Sequence, residues 1–362
     1  MATIKDVALL ARVGVGTASR AISGRGAVSA DALARVRQAV RALEFRPSRT
    51  ARALTSKRLG LVGVYVPTFE GTYFAPILQA IEGELRARDL HMVATSNFGR
   101  GTRRAKSLNG MRFLVERECD GILTFDGHTL DQDLIELRKE AGHLVLINRV
   151  VAGMEADCFS ADHDAAGRLA ARALLAQGHR ELAVMHSLRH GPDVCSRIDG
   201  FRAELAIHGL ALTQEFVIDG LLNFPNAWEQ AGRIATAAAT TRRPFSAVFC
   251  ANDVLATATL SRLQAAGIRV PGDVSVLGYD GAELGAYTWP ALSTVQVAST
   301  QVAAHACRHL MNHCYGAGLE VQRRFDSQVL MRQSVAPGPH PPLAPAALPR
   351  STATTPLCAL PR

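Results

Sequence analysis

The chain has 362 residues, 48% hydrophobic and 20% charged, with a formal net charge of +8. This is enough apolar material for a sizeable core over two or three domains, and no apolar run approaches the ~18 residues of a membrane span. Seven scattered cysteines without a C-x-x-C pair exclude a disulfide scaffold and point to reduced thiols in a cytosol.

Charge is unevenly spread. Between Thr3 and Arg58 there are twelve Lys/Arg against three acids, a surplus of nine that accounts for all the excess positive charge. A basic segment of this kind points to an anionic partner, most often nucleic acid. The chain enters directly into an amphipathic helix, with Ile4, Val7, Ala8 and Ala11 on one face, so no signal peptide is expected. Thr3 with Asp6 three residues on reads as a capping box. Arg12-Val13-Gly14 breaks the helix, and a second one runs from about Val15 to Ile22. Its inward positions are Ala18, Ala21 and Ile22; Val15, Gly16, Ser19 and Arg20 face outward. Ser29 caps a third helix that buries Leu33, Val36, Val40 and Leu43. Two short helices across a tight turn, braced by a third, make a helix-turn-helix. Such a head covers only a few base pairs, so useful specificity requires a two-fold dimer on a near-palindrome.

TIKDVA, Thr17-x-Ser19-Arg20, Val28-Ser29 and P-x-x-x-A-R-x-L from Pro47 to Leu54 resemble the DNA-binding head of the lactose-repressor (LacI/GalR) family, without gaps. The resemblance implies DNA contacts at Thr3, Val15, Gly16, Thr17, Ser19, Arg20 and Ser29. In the joint it implies a hinge helix that orders on DNA, with Arg49, Ala51 and Arg52 against the duplex and Leu54 wedged into a minor-groove step; by itself the joint, residues 47–58, also reads as a plain basic linker. Arg12 stands where the family usually has Gly or Asn, Gly14 replaces a capping Ser, and Ala18 replaces a larger Val.

From Leu59 the pattern changes to alternating strand and helix. LGLVGVYVP reads as a buried parallel strand, followed by a helix from about Tyr73 to Arg88. HMVATSN, DGILTF and HLVLIN follow with helices between them. After Asp162 come a helix from Asp164, ELAVMHS, a helix near Ile198 to His208, FVIDG, a helix near Ala227, SAVFCAND, a helix from Val254, and DVSVLGYD. Two such blocks imply two doubly wound α/β lobes with parallel sheets. The expected boundaries are a head at 1–46, a joint at 47–58, and a core at 59–336. Lobe 1 takes 59–160 and 291–336, completed by STVQV, a helix from Ala303 to His313 and a strand near Val329; lobe 2 takes 161–290. The segment 337–362 holds eight of the sixteen prolines and reads as a disordered tail.

The core also resembles the LacI/GalR family, whose effector-binding core looks like the periplasmic sugar-binding proteins. The shared stretches include Arg197-IDGF, P-x-L-S-T-V from Pro290, and the run from Ala251 to Asp280. Ligands of such folds bind at strand carboxyl ends, in the crevice. Arg197 matches the family's effector contact, and its planar fork suits paired hydroxyls or a carboxylate. Asn252 and Asp280 end two strands and offer groups for sugar hydroxyls. Tyr73 and Phe74 are positioned to stack on a sugar, and Phe224 and Trp228 are rival aromatics from lobe 2. Asn148 stands where many relatives carry Asp, and Asp253 is expected to cap the helix starting at Val254. Among catalytic signatures there is no G-x-S-x-G, Walker A, G-x-G-x-x-G or H-E-x-x-H run. His163, His179, His186 and His190 fall on different elements, so neither a metal site nor a cofactor is expected. These features imply a cytoplasmic, dimeric repressor whose operator binding answers to a small sugar-like effector. A transport receptor would need an export signal and no basic head. A sugar-acting enzyme would need the absent motifs.

Overall fold

The computed structural model describes residues 2–23, 26–45, 58–187, 191–217, 223–240 and 244–343. It divides into two compact units, Met1–Gly60 and Leu61–Arg362.

The first unit is a three-helix bundle: α1 (Ile4–Ala11), α2 (Val15–Ser23) and α3 (Ala30–Ala42). Its core is Val7, Ala8, Ala11, Ala18, Val36 and Ala39, bordered by Ile4, Val13, Ala21, Ile22, Val40, Leu43 and Phe45. The buried stripe of α3 runs through Ala32, Val36 and Ala39 rather than through Leu33. The capping box of α1 is present: the Asp6 N–H donates to Thr3 Oγ1 and the Thr3 N–H to Asp6 Oδ2 at 2.7 Å. These donors hold the Asp6 carboxyl below its ordinary range. Arg12 ends α1 in the left-handed conformation, φ 51° and ψ 48°.

The second unit contains two sheets. The first comprises β1 (Leu61–Tyr65), β2 (His91–Thr95), β3 (Gly121–Thr124), β4 (Leu144–Ile147) and β5 (Cys158–Phe159). It is parallel throughout, in the order β2-β1-β3-β4-β5. Helices α4 (Phe74–Arg86), α5 (Arg103–Glu116) and α6 (Asp131–Ala141) connect its strands. The second sheet is built from β6 (Leu182–His186), β7 (Gln214–Val217), β8 (Ala247–Cys250), β9 (Ser275–Asp280), β10 (Ser293–Gln296) and β11 (Gln328–Leu330). Its order is β11-β10-β9-β8-β6-β7, with only β11 antiparallel. Around it lie α7 (His163–Ala176), α8 (Pro192–Ile207), α9 (Phe224–Ala238) and α10 (Asp253–Ala265); α11 (Ser299–Tyr315) follows β10.

Two expectations are corrected. β10 and β11 belong to the second sheet, and only α11 returns to the first lobe, where it packs on α4 and on β3, β4 and β5. Its docking is anchored by Arg308 on Glu84 at 2.6 Å and by the Tyr315 hydroxyl on Asp120 at 2.7 Å. β10 stays behind because β9 offers an open edge in register from Ser293–Leu277 to Gln296–Asp280. Its side chains are claimed there too: Thr294 donates to Asp253 at 2.7 Å. An apolar run as short as STVQV fits the edge of either sheet, and periodicity does not choose between them.

The second correction concerns the tail, which is ordered through Leu343. The N–H groups of Gly338, His340 and Leu343 donate to the carbonyls of Gln177, Gly178 and Leu175, at and just past the end of α7 where helical donors run out. Gly178 has φ +85°, and a Cβ there would lie 2.0 Å from the His340 carbonyl oxygen, so the close approach requires glycine. His340 also reaches Glu181 at 3.0 Å. Proline-rich composition signals the lack of a core, but this strap is held by backbone bonds. Residues 344–362 lie outside the described residues.

Candidate functional site

Two surfaces carry the candidate residues. On the first unit, α2 turns Ala18 into the core and presents Val15, Gly16, Ser19 and Arg20 outward, with Val15 45% exposed. Thr17 is half-buried and accepts a 3.4 Å hydrogen bond from Arg20 Nη2, which holds the guanidinium along the helix. Thr3 and Ser29 are occupied as helix caps. The Thr3 hydroxyl both accepts from the Asp6 N–H and donates to the Asp6 carboxylate at 2.8 Å, while Ser29 Oγ accepts from Ala32 at 3.3 Å and keeps its hydroxyl hydrogen. The expected hinge contacts Arg49, Ala51, Arg52 and Leu54 lie outside the described residues.

The second surface is the cleft between the lobes, organised by Arg197. α8 begins at Pro192, earlier than its periodicity indicates, so Arg197 lies in the body of the helix. Two glycines bring α8 against α7. A Cβ on Gly167 would lie 1.9 Å from the Arg197 carbonyl oxygen, and one on Gly200 would lie 2.2 Å from that of Asp164. This backbone contact fixes where the Arg197 side chain emerges. Its guanidinium carbon stands 3.5 Å from the centroid of the Tyr279 ring. Nη1 donates to the Ala251 carbonyl at the end of β8, and Nη2 approaches Asp193 at 3.5 Å. Nε is buried without a partner.

Charges gather around this group. Burial raises the Asp280 carboxyl well above its ordinary range, against the pull of Arg197, and raises that of Asp193 in the same way. Asp280 ends β9 with φ 113°, a conformation disfavoured for any residue but glycine and often found at functional positions. Tyr73 stands at the start of α4 on the first lobe. Its hydroxyl donates to Ser299 at 3.3 Å and accepts from Asn148 Nδ2 at 3.3 Å. Burial pushes that hydroxyl up to about 12, with the Asp280, Asp193 and Arg197 charges acting on it. The first lobe thus meets the Arg197 cluster through Tyr73 and Asn148. Phe74 stacks edge-on with both Tyr73, at 4.9 Å, and Phe125, at 5.6 Å.

The capping role expected of Asp253 falls to Asn252. Asn252 is the N-cap of α10, its Oδ1 accepting from Leu255 at 2.9 Å, which leaves its amide N–H groups as donors. Asp253 is buried in the first turn, accepting from the Ala282 N–H at 2.6 Å and the Thr294 hydroxyl at 2.7 Å. Burial moves its carboxyl up to about 6. Of the rival aromatics, Phe224 is the first residue of α9, the helix end nearest the strand carboxyl termini. Trp228 lies one turn on, 38% exposed beneath the Arg262 guanidinium at 5.3 Å, on the face α9 shares with α10.

Sequence reasoning missed Asp193, Tyr279 and His163. His163 Nδ1 lies 2.8 Å from the Tyr279 hydroxyl, its Nε2 is buried without a partner, and burial with the nearby Arg197 charge holds it down to about 3. Asp193 was legible as the i−4 neighbour of Arg197, the spacing at which helical side chains meet. Tyr279 sits beside Asp280 on a strand, where alternation sends neighbours to opposite faces and gives no hint of a shared site.

Residues 3–48 match the family described as bacterial regulatory proteins, lacI family, and residues 171–335 match a periplasmic binding protein-like domain. The HTH-type transcriptional regulator GalR of Escherichia coli (strain K12) is 31% identical over 344 residues, which cover 93% of this chain and 96% of that protein. Among solved structures, the Lac repressor dimer bound to operator and an anti-inducer shares the fold. Its TM-score is 0.78 at 21% identity, covering 92% of this chain and 99% of that one. A complex of the transcriptional regulator CelR with cellobiose aligns with TM-score 0.65 at 26% identity, over 92% of this chain and all of that one.

Proposed function

Since the chain belongs to the LacI family and is a DNA-binding transcriptional regulator with an effector-binding domain, not an enzyme, we propose that it is a repressor governed by a small sugar or sugar acid. The reading places the protein in the cytoplasm as a homodimer on a near-palindromic operator; among the described residues no helix is long and apolar enough to cross a membrane. Arg20, Ser19, Thr17 and Val15 read the major groove, Gly16 leaves its step unread, and Thr3 and Ser29, the caps of the two helices that flank α2, also lie against the DNA. In the joint, Arg49, Ala51 and Arg52 follow the duplex and Leu54 wedges a minor-groove step.

The observation that carries the effector reading is the partnerless Nε of buried Arg197, set between Asp193 and Asp280. A buried donor without an acceptor is costly, and a ligand hydroxyl or carboxylate removes the cost. Asp280 and Asn252 complement it for a polyol, and Tyr73, Phe74 and Phe224 supply flat faces. The sugar seen in the CelR complex supports the same class. Linkage requires that the effector change operator affinity by the factor by which operator changes effector affinity, typically ~1–3 kcal/mol. Calorimetry with neutral sugars, sugar acids and purine bases, followed by titration of operator selected from random DNA, tests the proposal. A sugar or sugar acid that binds and shifts the operator isotherm is the expected result. Binding by purines alone would replace the sugar reading.

A further inference from the structure

We propose that Asp157, His309 and His313, on the first lobe away from the Arg197 cluster, form a binding site for a divalent transition-metal ion of the zinc type. Each offers a ligand atom, and these atoms all lie within 4.8 Å of one another. His309 and His313 are four residues apart on α11, the spacing that puts two imidazoles on one helical face for a metal. Their ring centroids are 4.5 Å apart. Asp157 is a buried carboxylate brought to them by the 3-10 turn Glu155–Asp157, which leads into β5. Two imidazoles and a carboxylate, with the last position left to water, are a familiar zinc ligand set. The sequence reading weighed other histidines and passed over this pair, although its spacing was visible.

The surroundings are arranged as outer-shell partners of ligands usually are. Arg138 holds Asp157 Oδ2 at 2.7 Å, leaving Oδ1 to face His309 Nε2 at 3.0 Å. The Nε2 proton in that hydrogen bond is the one an ion would replace, with the remaining ring proton on Nδ1. Arg323 stands 3.5 Å from Nδ1, but it donates to the carbonyls of Ala156 and Cys158 as well, so only a contact at the limit of hydrogen bonding is given up. His309 is wedged against Phe159, ring centroids 5.2 Å apart, whereas His313 is exposed, with the His143 ring centroid 5.9 Å from its own. Zinc holds its ligands at ~2.0–2.1 Å, hence at separations of about 3.4 Å, so no present separation has to close by more than about 1.4 Å, a change a side-chain rotation supplies. The ion would clasp α11 to the strand after which the chain leaves the first lobe.

Cobalt(II) is the probe, titrated into the full, untagged chain after treatment with a chelator, with zinc as competitor. Saturable binding at one equivalent per chain is expected, giving the visible absorption of a four- or five-coordinate nitrogen–oxygen site without a thiolate band. His313→Ala, at an exposed position, should fold as wild type by circular dichroism and bind at least about tenfold more weakly, since even outer-shell changes cost that much. Asp157→Asn should weaken binding in the same way, and Cys158→Ser should leave it unchanged. Binding that survives His313→Ala, a thiolate-to-cobalt band, or no uptake of either metal would each overturn the assignment.

Discussion

The head and the cleft solve opposite problems. The head buries little more than alanines and two valines, and shows everything it uses: Val15, Gly16, Ser19 and Arg20 are exposed on α2. The cleft buries what it uses. Arg197 is 4% exposed, Tyr279 is fully covered, and the two carboxyls beside them stand raised above their ordinary range. An exposed cation costs nothing to keep and waits for a phosphate or a base edge. A buried one must have its partners beforehand, and any it lacks mark where a ligand goes. Changes in the cleft should therefore have large consequences, and changes in the head small, graded ones.

The largest effect is expected for Arg197→Ala. Truncating one member of a buried, hydrogen-bonded charge group costs about 2–5 kcal/mol of binding. Effector affinity should fall accordingly, while operator affinity without effector stays as in the wild type. Lys at this position should not rescue, because it lacks the planar fork. Calorimetry and operator titration on the same preparation separate the two readouts. A full response to effector in Arg197→Ala would remove Arg197 from the site.

Asp253 tests whether the cleft stores charge at a cost. Its carboxyl titrates at about 6 in the folded chain against an ordinary 3.8. The folded state therefore holds that proton more tightly, and the resulting stability is fully present below 3.8 and lost as pH rises through about 6. His163, depressed to about 3, acts in the other direction, losing stability as pH falls below 6.5. Asp253→Asn keeps His163 and removes only the first contribution. The stability of wild type relative to the variant should improve on going from pH 7.5 to 4.5 by about 2 kcal/mol, since pH 4.5 lies about 1.5 units below the folded value of about 6. Urea unfolding across that range measures it, and a difference that ignores pH would place Asp253 outside this account.

How legible each region was follows from the same contrast. The head is local: its caps at Thr3 and Ser29 and the inward Ala18, Ala21 and Ile22 are relations within four residues, and the structure shows them as read. The strands and helices of the lobes were legible for the same reason. The cleft joins α8, β8, β9 and α4, and nothing in spacing tells that Tyr279 lies under Arg197 or that His163 reaches Tyr279 at 2.8 Å. The edge that β10 chose and the backbone bonds of the strap at 338–343 are long-range facts of the same kind.

In the head, Arg20→Ala should cost about 1–3 kcal/mol on the operator and relax specificity at one base position. Thr17 loses only a 3.4 Å contact, so the helix should remain formed. Binding to operators randomised one position at a time measures this. An unchanged preference at every position would shift the reading of the groove to other residues.

The smallest effect is expected where the head departs from its relatives. Arg12 caps α1 at φ 51°, its N–H donating to the carbonyls of Ala8 and Leu9. A residue with a Cβ pays roughly 1–2 kcal/mol in this conformation. Arg12→Gly relieves that strain but adds freedom to the unfolded chain, worth about 0.4–1 kcal/mol against it. The net change should be a stabilisation of between zero and about 1.6 kcal/mol, seen by circular dichroism on a fragment ending at Gly60. The substitution also removes an exposed cation from the face of a basic unit. If Arg12 lies against a phosphate, the salt dependence of operator binding becomes shallower by about one counterion, with sequence preference untouched. A stabilised head with an unchanged salt slope would assign Arg12 to the turn alone, whereas a destabilised one would mean that its side chain, and not merely its backbone, holds the turn in place.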